Sequence, residues 1–137
     1  VDVTGLDLQL TWKPHRNVSL HLAQSFVDID SSHDTVDDDI PKTSPNWISS
    51  LLAVWRISPG LSLSAMLYRT DSMKWLGEGD RTDLYTRADF RLARQFKLDG
   101  LDAEWALGVQ NAGDDYEEFR PVNVFSRRGY MTLRLDW

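Results

Sequence analysis

The runs "LYTRADFRLARQF" (84–96) and "LDAEWALGVQ" (101–110), joined by "KLDG" (97–100), decide the fold. In the first, Phe90, Leu92 and Phe96 alternate with Arg87, Asp89 and Arg91; in the second, Leu101, Trp105 and Leu107 alternate with Asp102 and Glu104. Alternation with a period of two is the mark of a strand with one apolar and one polar face. If Phe96 pairs with Leu101 across a four-residue turn, Leu92 meets Trp105 and Phe90 meets Leu107, so the two apolar faces coincide. The same register puts Arg91 opposite Ala106 and Glu104 on its diagonal. Diagonal neighbours lie about 7–8 Å apart, within reach of long side chains. An Arg91–Glu104 ion pair on the polar face is expected.

The pattern extends in both directions. "GLDLQLTWK" (5–13) places Leu6, Leu8, Leu10 and Trp12 on one face; "KPHRN" turns the chain, and "VSLHL" (18–22) resumes it. Pairing Trp12 with Val18 sets Leu10 against Leu20, Leu8 against Leu22 and Gln9 against His21. "WISSLLAVWRI" (47–57) and "LSLSAMLYRT" (61–70) flank "SPG"; pairing Ile57 with Leu61 sets Trp55 against Leu63 and Leu51 against Leu67. A last alternating run covers roughly residues 125–137. The sum is an all-β chain: an antiparallel up-and-down meander of about seven strands, a single unit over 1–137, with no convincing helix. Short turns alternate with long acidic connections, "SSHDTVDDDIPKTSPN", "DSMKWLGEGDRTD" and "NAGDDYEEFRPVN", so the long connections share one end.

Composition narrows the classes. With 137 residues, one domain is expected. A net charge of -6 leaves no basic surface to track a phosphate backbone, which argues against a nucleic-acid partner. The absence of cysteine removes disulfides, thiolate metal sites and thiol nucleophiles. The start "VDVTG" reads as that of a processed product or an excised piece. No apolar run reaches about 18 residues, so no helix spans a membrane; a spanning strand needs only about 9–11 alternating residues.

Two architectures share this pattern: a soluble barrel with an apolar interior, and a membrane barrel with an apolar exterior. Three features favour the second. The polar face holds both charge signs at strand centres, as a wet lumen would. Trp12, Trp55 and Trp137, with Phe96, gather on the apolar face at the short-turn end, where indoles favour a membrane–water boundary. Finally, Trp137, Leu135, Leu133 and Met131 share one face of the terminal run. A terminal aromatic there resembles the signal read by the bacterial barrel assembly machinery, although most such chains end in Phe.

The segments "GVQNAGDDYEEFRP" (108–121) and "FSRRGYMTLRLDW" (125–137) carry a family resemblance. They resemble the end of TonB-dependent outer-membrane receptors, whose penultimate strand finishes in an Asn followed by an Asp and a Tyr. Asn111, Asp114 or Asp115, and Tyr116 occupy those places, and Arg127, Arg128 and Gly129 lead into the last strand. "TSPNWISSLLAVWRISPGLSLS" (43–64) resembles the Pro-led strand before it, and "YTRADFRLARQF" (85–96) the strand with an inward Asp. The resemblance implies the C-terminal β-barrel segment of a receptor and transporter whose barrel has about twenty-two strands, with the plug domain and TonB-contacting box lying N-terminal to this piece. It implies a bacterial outer-membrane location, outer-membrane lipid, TonB, the plug domain and the assembly machinery as partners, and import of a scarce small molecule such as a ferric siderophore (iron uptake), cobalamin or a glycan. No enzymatic activity and no cofactor are expected.

Candidate ligand contacts from loop or polar face are Trp75, Arg81, Arg87 and Tyr116. For Trp75 the competing role is packing of its loop, and for Arg87 a charge ladder with Asp89, Arg91 and Glu104. His15, His21 and His33 lack ligand spacing for a metal. "DTVDDDI" (34–40) offers hard oxygen ligands without the spacing of a calcium loop, which favours a solvated loop. "GEGD" (77–80) has no following helix to make a phosphate cradle, and no "G-x-S-x-G" elbow occurs. The rival reading is a soluble all-β module binding carbohydrate or a hydrophobe. A small eight-stranded membrane barrel is a third, opposed by the odd strand count.

Overall fold

The computed structural model describes residues 1–30, 40–75 and 80–136. In chain order the strands are β1 (Asp2–His15), β2 (Val18–Asp30), β3 (Trp47–Ser58), β4 (Leu61–Thr70), β5 (Met73–Lys74), β6 (Arg81–Thr82), β7 (Tyr85–Leu98), β8 (Leu101–Gln110), β9 (Tyr116–Glu118), β10 (Arg120–Phe125) and β11 (Arg128–Asp136). Seven of them form one sheet in the order β1-β2-β3-β4-β7-β8-β11, a meander in which every neighbouring pair is antiparallel. The sheet is open, with β1 and β11 as its edges. The ribbons β5–β6 and β9–β10 decorate two of the long connections, and a single 3-10 turn, Ile40–Lys42, sits in another. The seven-stranded, all-β meander agrees with the alternation.

Two hairpin registers differ from the expected ones by two residues. Phe96 pairs with Ala103, Leu92 with Leu107 and Phe90 with Val109, because Leu98 pairs with Leu101 and the turn holds only two residues. Asp99 and Gly100 both take positive φ, 50° and 88°. A two-residue turn of that hand follows the right-handed twist of the strands, and Asp-Gly is its preferred sequence. The four-residue "KLDG" turn is therefore corrected. In the first hairpin Trp12 pairs with Leu20 and Leu10 with Leu22, since a bulge between Trp12 and His15 absorbs the extra length. In the third, Trp55 meets Leu63 and Leu51 meets Leu67 as expected, with a bulge between Arg56 and Ser58 that removes the Ile57–Leu61 pair. A shift of two preserves which face each side chain occupies, so the faces survive both corrections.

The Arg91–Glu104 ion pair forms at 2.5 Å even though Arg91 stands opposite Gly108 and Glu104 opposite Gln95. The guanidinium reaches over Ala93 and Ala106, which face each other and are buried beneath it. Being partly wet, such a pair contributes no more than about 1 kcal/mol.

Across the sheet the apolar face reads in rows: Leu10–Leu22–Leu51–Leu67, then Val18–Trp55–Leu63–Leu92–Leu107–Met131. Toward the sheet edges this face is uncovered, with Leu10 59% exposed, Leu133 65% and Met131 75%, while Leu51, Leu63 and Leu92 in the middle of the sheet are half-buried. On the other face, Asp89 and Glu104 keep side-chain exposures of only 22% and 24%. Alternation is not perfect, because Ile48, Leu52, Val54 and Met66 share the polar face with Ser64, Arg87 and Asp89. Aromatic residues mark both margins of the apolar face. Trp12, Trp55 and Phe96 lie toward the short turns, and Phe26, paired with Trp47, toward the long connections.

Gly108 has a specific reason to lack a side chain. Tyr130 is its cross-strand partner on β11, and a Cβ on Gly108 would sit 2.1 Å from the tyrosine ring. An aromatic ring laid over a strand glycine restores the packing that the glycine gives up. Gly108→Ala is expected to destabilise the chain by about 1–3 kcal/mol through displacement of that ring. The loss should shrink in a Tyr130→Ala background, and urea unfolding of the two single variants and the double variant would show it.

Candidate functional site

The polar face is richest in function-bearing groups at its long-connection end. Register brings Tyr68 opposite Arg87 and Thr70 opposite Tyr85 at the adjoining ends of β4 and β7. The chain leaving β8 then folds back over them. Tyr116 at the start of β9 stacks on Tyr85 with centroids 4.0 Å apart and planes within 4°. Phe125, its partner on β10, continues the stack at 5.1 Å and 10°, and Tyr68 closes the other end at 6.1 Å, tilted by 42°. Each contact of this kind adds about 0.5–1.5 kcal/mol beyond the area it buries.

Asn111 fixes the arm that delivers those rings. It adopts φ 49°, a left-handed geometry that Asn tolerates better than most residues. Its backbone N–H donates to Asp89 Oδ1 at 2.9 Å, and its Nδ2 donates to the carbonyls of Phe125 at 2.7 Å and Asp114 at 3.0 Å. Only 3% of the residue is exposed. Asp89 in turn accepts two hydrogen bonds from Arg87, Nε at 2.9 Å and Nη2 at 2.7 Å, the bidentate fork that holds a guanidinium in one plane. On the far side of the stack the Tyr85 hydroxyl donates to Glu118 Oε1 at 2.5 Å.

These groups border a cavity of about 380 Å³ whose wall includes Tyr68, Arg87, Asp89, Tyr116 and Glu118. It offers ring faces and edges beside oriented carboxylates and one guanidinium. That combination suits a small ligand carrying both a flat apolar surface and hydrogen-bonding groups. A second recess of about 240 Å³ shares Tyr68, Tyr85 and Glu118 with the first and adds Trp75.

Of the four candidate contacts, Arg87 and Tyr116 meet in the first cavity and Trp75 borders the second. The Trp75 indole also holds its own loop, donating from Nε1 to Thr82 Oγ1 at 2.9 Å and meeting Phe119 edge-on at 5.6 Å. Arg81 does not join them: it pairs with Asp83 at 3.3 Å, reaches Ser72 Oγ at 3.3 Å, and borders a separate recess with Lys42 and Asp71. The charge ladder resolves into two pairs, Arg87–Asp89 and Arg91–Glu104. Tyr68, Tyr85, Glu118 and Phe125 were not singled out by sequence. Tyr68 and Tyr85 carried a signal, since alternation places both on the polar face at adjacent strand ends.

Met131, Leu133 and Leu135 share the apolar face of β11, while Trp137 lies outside the described residues. The acidic stretch 34–39, with His33, and residues 77–79 of "GEGD" also lie outside them. His21 contacts Thr11 Oγ1 through Nδ1 at 3.2 Å, and His15 Nδ1 accepts from the Asn17 N–H at 3.2 Å. Among the described residues no group of three or more His, Asp or Glu side chains is disposed to hold a metal ion.

Asn111→Ala removes two side-chain hydrogen bonds and places alanine in a left-handed conformation. It is expected to destabilise the arm by about 2–3 kcal/mol. Limited proteolysis should then cut between residues 112 and 127 faster than in the parent chain, while the strands of the main sheet keep their protection.

Comparison of the chain with protein-family models, with curated proteins and with solved structures gives no match in any of the three.

Proposed function

We propose that this chain is a wall segment of a bacterial outer-membrane β-barrel, the C-terminal part of a TonB-dependent receptor that imports a scarce small molecule such as a ferric siderophore, cobalamin or a glycan. On this reading it is not an enzyme. Ligand is captured at the long-connection end, and TonB acts through a plug domain elsewhere in the receptor. The observation that carries the membrane part is the inverted exposure of the sheet. Leu10, Trp12, Trp55, Met131 and Leu133 are half or more exposed on one face, while buried Ala93 and Ala106 and the paired charges of β7 and β8 occupy the other. A strand needs about 9–11 residues to cross a bilayer, and the seven strands of the main sheet run from 9 to 14 residues.

The aromatic margins supply a length check. Trp47 and Trp55 lie on the same face of β3, eight residues apart, or about 27 Å along the strand. Tilted by about 40°, that becomes about 20 Å along the normal, close to the roughly 25 Å apolar band of outer-membrane barrels. A soluble module would instead need other protein to cover the same face. The receptor family itself rests on the resemblance of segments 108–121 and 125–137, and on Asn111 tying down the arm that brings Tyr116 to the cavity.

The lack of native cysteine makes the orientation directly measurable. In membranes containing the protein, Leu63→Cys and Leu92→Cys are expected to resist a charged, water-soluble maleimide, while Ser62→Cys and Ser64→Cys react. Equal labelling of both sets would count against the membrane wall.

A further inference from the structure

We infer that Arg69 and Arg94 are lipid-phosphate contacts, one at each headgroup level of the bilayer; this rests on the membrane-wall reading above. Within the seven strands, these are the two basic side chains on the apolar face among the described residues. Arg69 pairs with Ser49 on one side and Thr86 on the other, at the long-connection margin. Its guanidinium lies over the Trp47 ring, 5.6 Å from the centroid. Arg94 stands between Leu61 and Trp105 at the short-turn margin, and its Nη1 donates to the Pro59 carbonyl at 3.3 Å. Among the described residues, no carboxylate pairs with either guanidinium.

Their spacing is the argument for lipid. Arg94 lies eight residues along β7 from Thr86, the partner of Arg69. That is about 27 Å along the strand and about 20 Å along the normal after a tilt of about 40°. The two cations are thus separated by the height of the apolar band, each level with an aromatic margin. At the centre of a bilayer a guanidinium is expensive, and near its boundary it extends to the polar layer while its stem stays in oil. A planar fork on a tryptophan face still has N–H donors free to grip a phosphate. A lipid phosphate is the anion that recurs at both levels.

The test uses the full chain in vesicles of brominated phosphatidylglycerol or of a brominated, phosphate-free digalactosyl diacylglycerol, reading quenching of tryptophan fluorescence. The expected result is a preference of about fivefold for the anionic lipid, lost in Arg69→Gln/Arg94→Gln and kept in Arg69→Lys/Arg94→Lys. Arg16→Gln/Arg56→Gln removes two cations next to a recess on the polar face and should leave the preference intact. No preference in the parent chain, or one that persists in the double Gln variant or disappears in the Arg16/Arg56 variant, overturns the assignment while quenching by both lipids keeps the membrane wall standing. Absence of quenching by either lipid overturns the wall, and the assignment with it.

Discussion

Strand parity governs this structure. In an antiparallel pair a side chain's face is set by whether its position is odd or even relative to its partner, and every neighbour in the sheet must agree. Six consecutive pairings keep that agreement, so rows such as Val18–Trp55–Leu63–Leu92–Leu107–Met131 run across nearly the whole sheet. The bulges near the first two turns change the count of residues without changing the parity of the rows beyond them. What the chain gains from this consistency is a wide apolar surface on one side and, on the other, a polar one broken only around Ile48, Leu52, Val54 and Met66. An open sheet cannot cover its own apolar face, so the two edges β1 and β11 leave that face to whatever closes or covers the sheet.

The polar face shows how such a sheet tolerates charge. Arg87 and Asp89 are two residues apart on one strand and close a bidentate fork; Arg91 and Glu104 close across two strands. The second closure depends on small neighbours. Ala93, Ala106 and Gly108 leave the floor low enough for an arginine side chain to lie along it, and the Tyr130 ring covers the gap over the glycine. These pairs add little stability in a wet setting. Their effect is to leave each charge with a partner, so that the face can border water or a ligand without uncompensated groups.

Fold class, strand count and the membership of each face were legible because period-two alternation is a local property. Register was not legible to better than two residues, since parity is blind to a shift of two; only the conformation of Asp99 and Gly100 decides between a two-residue and a four-residue turn. The site was legible in part. Arg87 and Tyr116 could be named, one from strand parity and the other from its resemblance to a motif. Their meeting could not, because it depends on a non-local return of the chain. Tyr116 reaches Tyr85 only after Asn111 has turned the backbone and β10 has come back to lay Phe125 behind it. That Arg81 stands apart from them was hidden for the same reason, as its position follows the short β5–β6 ribbon and its contacts with Ser72 and Asp83 hold it there.

Asn111 links the sheet to the cavity. One residue terminates β8, accepts left-handed geometry, donates its N–H to the polar-face carboxylate of Asp89, and ties the returning arm through Phe125 and Asp114. An aspartate would offer acceptors to two carbonyls that need donors, and a glycine would keep the turn while losing both side-chain bonds. Asp89 therefore has a double function: it neutralises Arg87 within the sheet and orders the arm that roofs the cavity. The same hydrogen-bonded chain that stabilises the end of the strand thereby also holds the roof of the cavity.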